Sequence, residues 1–128
     1  MNGKKNGKYK EYYNDGQLKF EGEFLNGEKQ GKCIEYHDNG NLKFDGEYLN
    51  GKKHGKCKEY QPNGLIYDGE YLNDKKHGKG KLYNFFYLNL EYEGEFLNDK
   101  KNGKGKEYDY KSGEMIFEGE FLDDKRIE

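Results

Sequence analysis

The segment LKFEGEFL (18–25) alternates cleanly: Leu18, Phe20, Gly22 and Phe24 fall on one side, Lys19, Glu21 and Glu23 on the other. That is the period of a β-strand with one buried face. The same pattern returns along the chain. The pair Gly-Glu recurs at Gly22, Gly46, Gly69, Gly94 and Gly119, at spacings of 24, 23, 25 and 25 residues. A repeat of this period makes one supersecondary unit per copy. No stretch holds a helical period, and a glycine every few residues would break one.

Each unit carries a second short segment, such as GKCIEY (31–36), ending in Tyr and followed by Asn-Asp-Gly, Asp-Asn-Gly or Pro-Asn-Gly. Such dipeptides as Asn-Gly and Asp-Gly between strands are hairpin signals. Pro62 suits the first central position of a turn, which needs φ near −65°. The phase of the repeat predicts five hairpins, at about 7–26, 31–50, 55–73, 78–98 and 103–122, joined by linkers such as NGKKHGK. The expected fold is all-β: an open, elongated, single-layer antiparallel sheet of about ten strands, roughly 50 Å long at about 4.8 Å per strand.

The faces follow. Phe20, Phe44, Tyr67, Tyr92 and Phe117 share one repeat position, and Phe24, Tyr48, Tyr71, Phe96 and Phe121 the next but one. They form a structural aromatic ladder, with the glycine between them leaving room for a ring to lie across the backbone. Tyr9, Cys33, Cys57, Gly80 and Gly105 share that face from the second strand. Tyr12, Tyr36, Tyr60, Tyr83 and Tyr108 lie three residues further on, which is not a strand period. A β-bulge that returns them to the aromatic face is favoured over their covering the opposite one. On the charged face, Glu23, Glu47, Glu70, Glu95 and Glu120 line up beside Lys32, Lys56, Lys79 and Lys104, a layout expected to give cross-strand ion pairs of about 0.2–1 kcal/mol each.

Composition changes this picture little. The chain has 128 residues, 31% hydrophobic and 38% charged, with a mean hydropathy of −1.40. Those values alone suggest disorder, but aromatics make up 16% and recur in register. The length suits a single domain over 1–128. A net charge of −2 gives no global attraction to nucleic acid or anionic lipid. The first residues, MNGKKNGKYK, carry no apolar stretch, so neither signal peptide nor membrane span is expected and the cytoplasm is the expected compartment.

No catalytic, cofactor-binding or metal-binding residue is expected, and no cofactor. Cys33 and Cys57 stand one repeat apart, which puts their Cα atoms about 9–10 Å apart, beyond the roughly 7 Å a disulfide allows. They read as free, half-buried core thiols. His54 and His77 share a linker position held elsewhere by Asn6, Gln30 and Asn102, which points to a polar turn role, as for His37. Ser112, the one serine, sits in a turn. The Lys pairs at 4–5, 52–53, 75–76 and 100–101 line one edge, read as a solvated edge balanced by nearby carboxylates.

The unit aromatic-x-Gly-Glu-aromatic-Leu-Asn followed by Gly-Lys-Gly resembles the MORN repeat. Tyr92-Glu93-Gly94-Glu95-Phe96 with Gly103-Lys104-Gly105 carries it most fully, and GKCKEYQPNG and GKYKEYYNDGQLKFEGEF are similar to the MORN-variant repeat of bacterial proteins often described as antitoxins. The resemblance spans about residues 3–124, with Phe or Tyr where the family usually has Trp. It implies stacked hairpins and a non-enzymatic protein-interaction or scaffold module. An antitoxin or immunity-type inhibitor of one enzyme is the alternative, and anionic-lipid binding a weaker one. A protein partner is expected, self-association through open sheet edges is a further possibility, and nucleic acid is not favoured.

One stretch departs from the repeat. After Tyr83 comes NFFYLNLEY, where other units have polar turns. Its length matches YDYKSGEMIF (108–117), which places Asn89 opposite Gly113 in the left-handed turn position. Phe85, Phe86, Tyr87 and Leu88 are the candidate partner-binding residues. Two readings stay open: the rings fold back as extra core, or they form an exposed anchor.

Overall fold

The computed structural model describes residues 3–128; Met1 and Asn2 of the single-domain span lie outside the described residues. Eleven strands form one antiparallel sheet whose spatial order equals the chain order. They are β1 (Gly7–Tyr12), β2 (Leu18–Leu25), β3 (Glu28–Tyr36), β4 (Leu42–Leu49), β5 (Lys52–Gln61), β6 (Gly64–Leu72), β7 (Lys75–Tyr83), β8 (Leu90–Leu97), β9 (Lys100–Tyr108), β10 (Met115–Leu122) and β11 (Lys125–Ile127). The sheet is open and unclosed, built of repeated hairpins as the repeat predicts.

The turns differ from the expected layout. The presumed linkers are the tightest hairpins of the protein. Asn26-Gly27, Asn50-Gly51, Asn73-Asp74, Asn98-Asp99 and Asp123-Asp124 all take positive φ at both residues, for example 51° and 83° at Asn26 and Gly27. Both-positive φ marks the type I′ turn, whose twist matches that of paired strands. The strands after these turns start three residues earlier than expected, at Glu28, Lys52, Lys75 and Lys100. They reach that far because a bulge absorbs the mismatch: Gly46 opposes the three residues 55–57, with Asp45 paired to Lys58 and Glu47 to His54. Gly55 sits in that bulge at φ 72°, a conformation that costs any residue with a Cβ.

The repeated Tyr also needs correction. Glu35 Oε1 accepts a hydrogen bond from Tyr48 Oη at 3.0 Å, so Glu35 lies on the ring face and Tyr36, next along the strand, points to the other. A bulge does exist at this step, but on the partner strand: Glu35 pairs with Phe44 and Tyr36 with Leu42, which leaves Lys43 as the extra residue.

Nine of the ten ladder rings are buried and Phe117 is half-buried. Rings two positions to either side of each glycine meet edge to face, as in Tyr92–Phe96 at 5.1 Å and Phe44–Tyr48 at 5.2 Å. The glycines make this possible. A Cβ on Gly94 would lie 2.5 Å from Gly105 Cα and 2.7 Å from Tyr92 Oη. A covariation follows from the ring's own length. Where the ring is Tyr (Tyr67, Tyr92), the facing residue of the next strand is Gly80 or Gly105, and the hydroxyl donates to the carbonyl of Glu70 or Glu95 at 2.9 and 2.8 Å. Where it is Phe (Phe20, Phe44), the facing residue is Cys33 or Cys57, which fills the space a hydroxyl would take. Both cysteines are free and fully buried rather than half-buried.

A layer of cations caps the rings. Lys29 Nζ stands 4.8 Å over Phe20 and 5.2 Å over Tyr48 while bonding Glu35 at 2.7 Å. Lys53 with Glu59 and Lys101 with Glu107 repeat the arrangement. The second lysine of each Lys pair is therefore part of the core cover, and the basic edge read from the sequence keeps only the first. Cation–ring contacts of this kind are worth about 0.5–2 kcal/mol. The charged face is also corrected. Lys79 lies opposite Glu95 in register, yet among the described residues no lysine of that row is in an ion pair with the Gly-Glu glutamates. Glu70 and Glu95 turn instead to the backbone N–H of Lys79 and Lys104, at 3.2 and 2.8 Å, which the bulges leave free.

Two outcomes follow. Phe44→Tyr would push a hydroxyl onto Cys57 and cost about 1–3 kcal/mol, whereas Phe44→Tyr with Cys57→Gly would recover a large part of the loss. A double-mutant cycle in urea measures the coupling, and additive costs would contradict the packing account. Partial burial alone would raise the Glu107 pKa, but hydrogen bonds from Arg126 and Lys101 outweigh it and the carboxyl titrates below the usual range. The resulting stability is complete above the ordinary glutamate pKa of about 4.3 and drains as pH falls through the lowered value. Urea midpoints should therefore drop from pH 6 to pH 3 less steeply in Glu107→Gln than in the native chain.

Candidate partner-binding site

The stretch after Tyr83 folds as a turn of the same kind as the last one. Asn84 N–H donates to Asn89 O at 2.8 Å, and Leu88 N–H to Asn84 O at 2.8 Å; Asp109 N–H and Gly113 N–H make the equivalent bonds at 2.7 Å each. Asn84 Oδ1 accepts from the N–H of Phe86 and Tyr87, both at 2.9 Å, just as Asp109 Oδ1 accepts from Lys111 and Ser112. Those backbone donors hold the Asp109 carboxyl below its usual pKa. The residue matching Gly113 is Leu88, at φ 61° against 81°, and not Asn89. A leucine there is strained by about 1–2 kcal/mol. Its side chain offsets this by packing on the preceding turn, where a Cβ on Gly64 would lie 2.8 Å from Leu88 Cδ1.

The structure separates the four candidate residues. Leu88 is half-buried against Gly64, while Phe85, Phe86 and Tyr87 are 51%, 79% and 52% exposed. The three rings are not among the core residues. Phe85 and Phe86 meet edge to face at 5.2 Å, and Tyr87 tilts at 32° against Tyr110 of the next loop at 5.7 Å. Lys111 Nζ stands 5.9 Å over the Tyr87 ring. These groups wall an open groove of about 890 Å³, with Ile66 and Leu82 among its lining.

Sequence reasoning did not single out Ile66, Leu82, Tyr110 or Lys111. Its signal was available in register. Leu82 stands where Glu11, Glu35, Glu59 and Glu107 stand in the other units. The bulge position of Ile66 is Lys19, Lys43, Glu91 or Ile116 elsewhere.

The groove's frame is tied from loop to loop. Asn63 Nδ2 donates to Phe85 O at 3.0 Å and Asn89 Nδ2 to Tyr110 O at 2.8 Å. Asn41 to Pro62 O, Tyr13 to Tyr36 O and His37 to Tyr60 O continue the series. His37 thus serves as a loop tie. His54 and His77 lie within β5 and β7 rather than in linkers.

Burial pushes the thiol pKa of Cys33 and of Cys57 up, so both stay protonated at neutral pH. Among the described residues no three His, Cys, Asp or Glu side chains are placed to hold a metal. Among the described residues no helix is long and apolar enough to cross a membrane. A second groove, of about 410 Å³ on the charged face, mixes Lys79, Lys81 and Lys104 with Asp68, Glu93 and Glu95. Its charges balance and it favours no ligand sign.

Comparison with known proteins agrees with this architecture. The MORN repeat matches residues 44–66, 67–84 and 92–114. The MORN repeat variant matches residues 5–26 and 29–50. No curated protein matches the chain. The matches take in more than half of the chain, and the chain belongs to the MORN repeat family.

Proposed function

We propose that this chain is a non-enzymatic protein-binding module and that its partner docks on the loop carrying Phe85, Phe86 and Tyr87. The observation that carries the proposal is the exposure of three adjacent rings, half to four-fifths, on a loop held by hydrogen bonds from the N–H groups of Asn84, Phe86, Tyr87 and Leu88. Exposed aromatic clusters rimmed by polar groups mark interaction sites, and aromatic anchors on rigid backbone bind at low entropic cost. Repeat modules of this family fit such a role. An inhibitor directed at one enzyme would be a special case of the same binding.

The test replaces the rings without touching the frame. Phe86→Ser with Tyr87→Asn should leave the melting temperature within about 2 °C of native, because exposed substitutions cost little, and should abolish capture of the protein retained by the native chain. Retention of that protein by the double variant would remove this loop as the docking site. A fall of more than about 5 °C would make the rings core.

A further inference from the structure

The departures from the repeat are not scattered. Leu82 replaces the glutamate that elsewhere faces a ring-capping lysine, and Ile66 replaces a residue that is charged in three of the other four units. Both line the groove beside Phe85, Phe86 and Tyr87. Ile66 and the stretch 82–87 thus replace charged and polar positions of this loop-edge groove by apolar ones and leave Glu91 and Lys111 as its charges. The cations record the same change. Lys5, Lys29, Lys53, Lys101 and Arg126 each stand over a ring and each bond a glutamate. The ammonium groups of Lys76 over Tyr67 and Lys111 over Tyr87 have no carboxylate within 4.0 Å among the described residues, although the backbone N–H of each donates to an aspartate, Asp99 and Asp109. Glu91 also lines the groove, but half-buried, whereas Lys111 is exposed on the loop.

Resting on the protein-binding reading above, we infer that this groove takes a short segment of a protein partner. The segment inserts a large aliphatic or aromatic side chain between the loops 84–87 and 110–111. A carboxylate within a few residues of that anchor meets Lys111. The area sets the size of the occupant. Three rings exposed by half to four-fifths offer roughly 300–450 Å², whereas a standard folded interface needs about 800 Å² on each side. The patch suits a peptide anchor, and by itself it falls short of the area a second copy of the chain needs. The groove volume of about 890 Å³ accommodates several side chains. The loop-to-loop hydrogen bonds keep its walls in place before anything binds.

The repeat itself supplies the test variant. Ile66→Lys with Leu82→Glu restores residues that other units carry, and the new glutamate would pair Lys76 as Glu59 pairs Lys53. Leu82 also packs on the core, so the new ion pair offsets lost packing and the variant should stay folded and melt within about 5 °C of native. A phage library of random 12-residue peptides is selected on the native chain, and the winners are measured as synthetic peptides by fluorescence anisotropy. The expected winners combine a Leu, Phe, Trp or Met with an Asp or Glu within a few positions. They lose at least tenfold in affinity on Ile66→Lys/Leu82→Glu, and on Lys111→Glu only when the acidic residue is present. Winners without this pattern, or with unchanged affinity on the restored variant, would overturn the inference. A concentration-dependent dimer of the native chain in sedimentation, abolished in the restored variant, would overturn it in favour of a second copy. A captured partner lost on Phe86→Ser/Tyr87→Asn but kept on the restored variant would leave the docking loop standing and the groove rejected. A partner kept on both would reject the docking loop itself.

Discussion

Everything in this sheet depends on an aromatic ring lying across a glycine. A single layer has no second layer to cover its apolar face, so the rings must bury one another. They can do so only if they lie down along the sheet, and they lie down only where no Cβ stands up. At Gly94 a Cβ would meet both the Tyr92 hydroxyl and the neighbouring backbone at 2.7 and 2.5 Å. The spacing of glycines therefore sets the spacing of rings, and through it the strand phase. The facing residue then answers the ring's length, Gly under Tyr and Cys under Phe. The cations complete the cover, since a lysine stem adds apolar contact while its ammonium faces ring and carboxylate together.

The two long edges of the sheet have different freedom. On the tight-turn edge, left-handed pairs leave no room for variation, and each turn also bonds the strand one repeat earlier, as in Gly51 N–H to Lys29 O at 3.0 Å. On the other edge the loops vary in length and decoration, while side-chain ties from Asn41, Asn63 and Asn89 hold them in series. That division places a changeable surface on a rigid frame, the usual location of a recognition site. The loop at 84–89 uses this freedom: it keeps the hydrogen bonds of its polar counterpart at 109–114 and exchanges polar decoration for rings.

Periodicity made the strands, their antiparallel order and the ring face legible in the sequence, because a period of two and a repeat of 23 to 25 residues admit few arrangements. The expected hairpins form, but which edge carries the tighter turns was not legible, for a local reason. Both edges carry turn dipeptides, and Asn26-Gly27 competes with Asn14-Asp15-Gly16 on equal terms until the strand lengths are known. The bulges were half legible. The three-residue step to Tyr36 signals an irregularity, but a sequence does not say which of two paired strands absorbs it. Asn89 looked like the left-handed residue because Asn adopts that conformation readily. Leu88 holds it because Gly64, in the preceding turn, leaves space for its side chain.

By itself, the sequence determined an open antiparallel sheet with one aromatic face, since the alternation and the glycine repeat act along a single strand. Only the tertiary structure decided what depends on contacts between strands. It turned the Lys pairs inward over the rings and sent the Gly-Glu carboxylates to backbone N–H groups rather than to lysines. It buried both thiols, and it left Phe85, Phe86 and Tyr87 in solvent beside Ile66 and Leu82. Leu82 is a near neighbour of Phe85 in the chain, but Ile66 lies on the adjacent strand, and the register that sets Tyr67 against Leu82 brings it to the same groove.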